Sequence, residues 1–420
     1  MARLAHSPLE RRVLGVWSLL ALGINGIVGV GIFFTPNLVA RLVPGTAGVW
    51  AYTLTLLALL PVALTYARLG ARFDRDGGPY VWACAAFGEG AGFVVGFAAY
   101  ASAVLSTSAV IAGLAEYTAP ALGWNHDPRL FAALAACGFA AIVAAGLKPS
   151  AWVWSSLTAL KLLPLVLLIA VFLAHSGGRQ PALVSGEVVS WPRAVLLIVF
   201  AMQGFEIVPV PGAHVHAPTR AIPFATIGSL VLCAGLYMLL HWACVQALPG
   251  LATTSAPLIA LARSLGGEAL SGVVSAGTNI SAIGIAFGMM AMTPRYLAAL
   301  EQGRIEDVSE LETRHQVPRR ALAVTLVLVL VLVTWGGLSR LFVLSSVAVL
   351  FQYSVSVVAL GRLALARAHG LSPRDALPAP LALVALLTIA CAVERAELVV
   401  MAGIVMLGLL LGFAGKRFSR

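Results

Sequence analysis

The sequence predicts an all-α integral membrane protein of twelve transmembrane helices, built as two five-span repeats of opposite orientation followed by two further helices. Three observations carry that expectation. The composition is too apolar for a surface that faces water, apolar runs recur at bilayer length along the whole chain, and each half contains one broken run at the same position.

Of the 420 residues, 60% are hydrophobic and only 10% are charged, with a mean hydropathy of +0.95. A water-soluble domain of this size needs far more charge to cover its surface. Twelve apolar runs lie at 13–40, 46–70, 91–118, 129–147, 151–174, 194–213, 221–247, 268–297, 319–336, 340–365, 378–392 and 396–415, each near the ~20 residues that a helix needs to cross a bilayer. They are continuous rather than alternating in-out, which excludes an outer-membrane barrel. The first run is too long for a cleaved signal peptide and no small-residue cleavage site follows it, so it reads as a span that stays. Residues 1–175 then form the first repeat, 191–365 the second, and 378–420 the last two helices with a tail.

Basic residues set the orientation. With the amino terminus inside, nineteen of the 27 Lys and Arg fall on inner segments and seven on outer loops, leaving Lys161 within a span. This bias predicts two cytoplasmic termini in a plasma membrane of the bacterial inner-membrane type. The net charge of +10 therefore reflects topology and is no footprint for nucleic acid. Trp50, Trp152, Trp154, Trp191 and Trp335 stand near span ends, where amphipathic rings prefer to sit. The five cysteines are scattered over apolar segments without a CxxC or a histidine pair, which reads as packing rather than metal ligation. No phosphate loop, nucleophile elbow or metal cluster occurs, so the sequence predicts neither catalytic residues nor a cofactor.

The stretch GIVGVGIFFTP, 26–36, interrupts the first run. Gly23, Gly26 and Gly29 have a plain reading, the close approach of a neighbouring helix. Gly29 and Gly31 around one valine, with Pro36 beyond, also weaken the helix itself. Unwound backbone at membrane depth is tolerable only where it is buried in protein or lines a cavity. The sixth run, VFAMQGFEIVPVPG at 199–212, repeats the device with Gly204, Pro209 and Pro211. Gly29 and Gly204 are 175 residues apart, each in the first span of a five-span block. Paired broken spans of this kind point to a transporter made of inverted repeats, with backbone amides for an anionic group and carbonyls for a cation. Such a site suits a zwitterion.

These residues resemble the amino acid–polyamine–organocation transporters over nearly the whole chain. GIVGVGIFFTP is similar to that family's first-span motif. ALTYARLGARFDRDGGPYVWACAAFG (63–88), QGFEIVPVPGAHVHAPTRAIPFA (203–225) and TPRYLAALEQGRI (293–305) resemble its second-span end, its sixth span with the following loop, and its eighth-span end. The resemblance implies a LeuT-type 5+5 inverted repeat with broken first and sixth helices. It further implies that Ile27, Gly29, Val30 and Gly31 face an amino acid substrate, with amides of Val30 and Gly31 for the carboxylate and the Ile27 carbonyl for the amino group. Phe200 falls at an aromatic gate, and Gln203 and Gly204 line the pocket. Val30 stands in place of a commoner Ser or Ala, narrowing the pocket, and His214 replaces a Glu frequent in relatives.

Two charges stand where a bilayer penalises them by at least ~2.5–3.5 kcal/mol. Glu206 either holds the broken turn by accepting free N–H groups or takes part in coupling. Lys161 is too deep in its span for easy snorkelling, which favours a functional role. His241 reads as a polar helix contact or part of a wet vestibule. Thr278 and Ser281 could simply bond their own backbone, but the resemblance places Ser281 beside the first break, where sodium-coupled relatives hold a cation. An ammonium from Lys161 would occupy that space, so the expected driving ion is the proton. The expectation is a secondary transporter for a small or apolar neutral amino acid, with an exchanger, an exporter or a non-transporting sensor as alternatives. Its partners are then the amino acid, protons and the lipid bilayer; the sequence leaves oligomeric state open.

Overall fold

The computed structural model describes residues 14–73, 77–145, 151–175, 188–212, 215–301 and 318–418, with backbone alone at 121, 151–159, 299, 301 and 411–418. The chain runs α1 (Val16–Ile27), α2 (Gly31–Leu42), α3 (Ala47–Gly70), α4 (Pro79–Phe87), α5 (Glu89–Ala121), α6 (Pro128–Ala144) and α7 (Ala151–His175). It continues through α8 (Trp191–Met202), α9 (Pro218–Ala247), α10 (Pro257–Glu301), α11 (Arg319–Trp335), α12 (Leu338–Leu365), α13 (Pro378–Ala390) and α14 (Arg395–Phe418). Among the described residues no strand occurs, only an isolated parallel bridge between Leu14 and Val215.

Among the described residues, α3, α5, α9, α10 and α12, together with the stretch Pro373–Ala390 that ends in α13, are long and apolar enough to cross a membrane, and the pair α1–α2, bent by 49°, makes a seventh. The helices α6 and α8 are apolar but shorter. Local sequence explains most of the ends. Pro128 opens α6 while the Asp127 carboxylate accepts the Arg129 N–H at 2.8 Å. Ser190 caps α8 in the same manner through the Arg193 N–H, with Pro192 just inside. Gly266 and Gly267 bend α10, so the expected eighth span carries an extra leading segment from Pro257.

One difference from the sequence expectation stands out, beside one interruption that the sequence anticipated. A short helix, α4, occupies the segment read as a loop before the third span, and Gly88 at φ +90° separates it from α5. The sixth span is helical only to Met202. Beyond Gly204 it continues as a 3₁₀ turn, Phe205–Ile207, and further turns. Pro209 and Pro211 lack the N–H groups that would rebuild a helix there. His214, whose substitution the sequence raised, lies outside the described residues.

Packing follows a pattern. The helix α5 packs on α10, α12, α6 and α11, and α10 packs on α5, α7, α11 and α6. Likewise α9 packs on α1 and α3, while α8 packs on α2, α3 and α12. Two aromatic layers cross the middle of this bundle. One lies where α2 begins and α8 ends, and gathers Phe34, Tyr117, Phe200 and Phe342. The other lies toward the ends of α3 and α12 and gathers Tyr66, Trp82, Phe205 and Tyr353. Phe200 lies just before the second break and Phe205 lies in its 3₁₀ turn.

Candidate functional site

The first break spans Val28, Gly29 and Val30, between the end of α1 and the start of α2. Ending a helix strands the carbonyls of its last turn. Here donors arrive from other spans. The Lys161 ammonium, on α7, donates to the carbonyls of Asn25 at 2.8 Å and Val28 at 2.7 Å. The Tyr237 hydroxyl, on α9, donates to the Ile27 carbonyl at 3.0 Å. Lys161 is only 2% exposed, so it does not snorkel. Its positive charge faces the negative end of the α1 dipole, which helps to offset the cost of its burial. At the start of α2 no side chain caps the helix and no acid stands in its first turn.

The second break is held by its own Glu206 and by a tyrosine from another span. Gln203 leaves the helix in an extended conformation, and Gly204 follows at φ +123°, a region that only glycine enters without strain. The Gly204 N–H donates to Glu206 Oε2 at 2.7 Å, and the Tyr353 hydroxyl, on α12, donates to the same oxygen at 2.9 Å. Of the two roles read for Glu206, holding the turn is visible in these bonds.

The breaks touch. A Cβ on Gly204 would run into the Gly26 carbonyl carbon and oxygen, and one on Gly31 would lie 2.8 Å from Ala201 Cα and 3.3 Å from the Phe200 ring. Gly31 and Gly204 therefore serve close packing between the two broken spans as well as the breaks themselves. Gly29 differs: the nearest side-chain atom to a Cβ there would be Ile285 Cδ1 at 3.7 Å. Phe200 stacks on Phe342 with centroids 4.0 Å apart and planes at 14°.

Two broken spans, one held by a buried ammonium and the other by a half-buried carboxylate and crowded together by glycine, form the framework on which comparison with known proteins bears. A family model described as amino acid permease matches residues 14–410. The chain belongs to the amino acid permease family. This permease is 28% identical over 361 residues to an uncharacterized transporter of Mycobacterium tuberculosis, an alignment covering 82% of this chain and 79% of the relative. It is 24% identical over 391 residues to the serine/threonine exchanger SteT of Bacillus subtilis, covering 88% and 87%. It is 24% identical over 340 residues to human cationic amino acid transporter 4, covering 73% of this chain but 53% of that longer protein.

The permease brings most of the sequence-read residues together, including Gly29, Val30, Gly31, Phe200, Gln203, Gly204, Glu206 and Lys161. Ser281 lies on α10 one turn before Ile285, the residue nearest Gly29, and its buried hydroxyl has no hydrogen-bond partner. Thr278 bonds its own backbone at Val274. His241 stands apart, fully buried against Tyr52 and Gly48, so it is not part of an open vestibule in this conformation. Sequence reasoning missed Tyr237, Tyr353, Phe342 and two serines. Ser106 and Ser345 both bond Gln203 at the second break. A signal existed: LSTSAV at 105–110 and LSSVAV at 344–349 each put adjacent hydroxyls into an apolar run. Among the described residues no cluster of His, Cys, Asp or Glu fits a metal ion.

Proposed function

We propose that this chain is a secondary transporter that carries a neutral amino acid across a plasma membrane by alternating access, driven by protons through Lys161. The observation that carries the reading is the pair of touching breaks, one holding a buried ammonium and the other a half-buried carboxylate, beside the stacked Phe200 and Phe342.

The proposed architecture is the LeuT-type 5+5 repeat of twelve spans, with both termini cytoplasmic. Packing supports it. Counting α1–α2 as the first span and α8 with its turn as the sixth, exchanging the halves carries observed contacts onto observed contacts. The pair α5 and α12 exchanges with α10 and α7, α5 and α6 with α10 and α11, and α1 and α9 with α8 and α3.

In this reading the uncapped start of α2 offers the Val30 and Gly31 amides to the substrate carboxylate. The Ile27 carbonyl, already accepting from Tyr237, keeps one lone pair for the substrate amine. Glu206 is engaged by Gly204 and Tyr353, and Lys161 by two carbonyls, which leaves neither to pair with a charged side chain. A neutral substrate follows, small enough for a pocket that Val30 narrows. The ammonium lies on the carbonyls that would otherwise hold a sodium ion, and loss of its proton would release them, loosening the first break. Gating then falls to Phe200 and its partner Phe342.

The test is uptake of a radiolabelled amino acid panel into proteoliposomes. The expected result is stimulation by an inward proton gradient, indifference to replacing sodium with potassium, and loss in Lys161→Ala. An obligatory sodium requirement would overturn the coupling, and a flat response to the whole panel would overturn transport itself. Exchange is the second reading, favoured by the name of the Bacillus relative. It predicts uptake only into liposomes preloaded with amino acid.

A further inference from the structure

We propose that Gln203, Ser106 and Ser345 read the substrate side chain and select amino acids that carry a hydroxyl or a carboxamide, an inference that rests on the transporter reading above. Gln203 Nε2 lies 3.2 Å from Ser106 Oγ and 3.1 Å from Ser345 Oγ, and the two hydroxyl oxygens are 2.6 Å apart. Three spans thus meet at one small polar cluster: α5, the broken α8, and α12. Serines in membrane helices usually turn to their own backbone, as Ser108 does at Val104 and Ser346 at Phe342. Ser106 and Ser345 instead meet each other and Gln203.

Counting hydrogens fixes the arrangement. Three contacts need three hydrogens. With the amide nitrogen toward the serines, its two N–H groups serve one contact each and one hydroxyl serves the Ser–Ser contact. Turned over, the amide oxygen would require both hydroxyl hydrogens, and none would remain for the contact at 2.6 Å. In the orientation that satisfies all three, two capacities are left over. One serine keeps a hydroxyl hydrogen to donate, and Gln203 Oε1, buried and without a partner, keeps its full capacity to accept.

One outstanding donor beside one outstanding acceptor is the complement of a group that both accepts and donates. Hydroxyls and primary carboxamides have that character; alkyl groups, carboxylates and ammonium groups do not. The cluster also sits at the right level. Gln203 follows Phe200 by three residues and Ser345 follows Phe342 by three, so both lie about one turn beyond the stacked rings, beside the second break. A ligand lacking the polar group leaves buried partners unpaired, and sites of this kind reject such analogues by large factors. This narrows the expected small or apolar neutral substrates to those that carry a hydroxyl or a carboxamide.

The test compares near-isosteric pairs in proteoliposomes: serine against 2-aminobutyrate and threonine against valine, with asparagine and glutamine alongside. The expected result is at least tenfold higher kcat/KM for the polar member of each pair, with Ser345→Ala and Gln203→Leu each cutting that ratio severalfold or more. Equal transport of both members, or preference for apolar or charged amino acids, would overturn the selectivity while leaving the transporter reading intact. Absence of uptake for every amino acid, together with absence of any ligand-induced rise in melting temperature, would remove the transporter reading and this inference with it. Should the variants fail to fold, the wild-type ratio decides alone.

Discussion

The two interrupted spans are broken with the same residue type and held with opposite charges. At the first break the stranded groups are carbonyls, so the partners are donors, Lys161 and Tyr237. At the second a stranded group is the Gly204 N–H, so the partner is a carboxylate. The polarity of the exposed backbone dictates the sign of the charge that can sit beside it. The breaks also differ in reach. Glu206 is two residues from the amide it holds, whereas Lys161 is 133 and 136 residues from its carbonyls and Tyr237 is 210 from Ile27. The second break thus has one bond from within its own span, supplemented by Tyr353 and Ser345 on α12 and Ser106 on α5. The first holds only while α1, α7 and α9 stay together, which makes it the place where a shift between helices, or a proton on Lys161, changes the geometry.

That contrast can be broken experimentally. The largest effect is expected from Lys161→Ala, which leaves the Asn25 and Val28 carbonyls without their donor at about 1–3 kcal/mol each. Transport driven by a proton gradient should fall at least 100-fold, alongside a lower melting temperature of the purified protein. An unchanged pH–rate profile in that variant would show that the first break does not depend on the ammonium.

Gly204→Ala comes next. The substitution forces a side chain into a backbone at φ +123° and against Gly26, for a loss of roughly 2–4 kcal/mol. Denaturation in detergent should show it, and normal stability would mean that the two breaks do not touch as described.

Glu206→Gln should do less, about 1 kcal/mol, because the amide oxygen still accepts from Gly204 and Tyr353 but without charge. Transport should persist with an unaltered response to pH. A proton response abolished here but kept in Lys161→Ala would exchange the roles assigned to the two breaks.

Tyr237→Phe is the mildest. It removes a single inter-helix hydrogen bond to Ile27, about 0.6 kcal/mol on the average for membrane bundles. Its effect should appear in the affinity for substrate amine more than in stability, measured by ligand-dependent thermal shift.

The helical character, the membrane setting and the two interruptions were legible in the residues because each follows from local chemistry. Apolar length predicts a span, Gly-Val-Gly weakens a helix, and Pro209 and Pro211 forbid its repair. A lysine and a glutamate in apolar runs likewise announce themselves by their cost in lipid. Spacing could not say which groups those charges meet. Lys161 finds two carbonyls on α1, Tyr353 finds Glu206, and Ser106 and Ser345 converge on Gln203 across separations of 97 to 239 residues. Nor could spacing distinguish Gly31 and Gly204, pressed against Ala201 and Gly26, from Gly29, whose nearest side-chain neighbour leaves ordinary room. In a bilayer every polar group must find its partner within the protein; the sequence states that the demand exists, and only the meeting of distant helices decides which residues answer it.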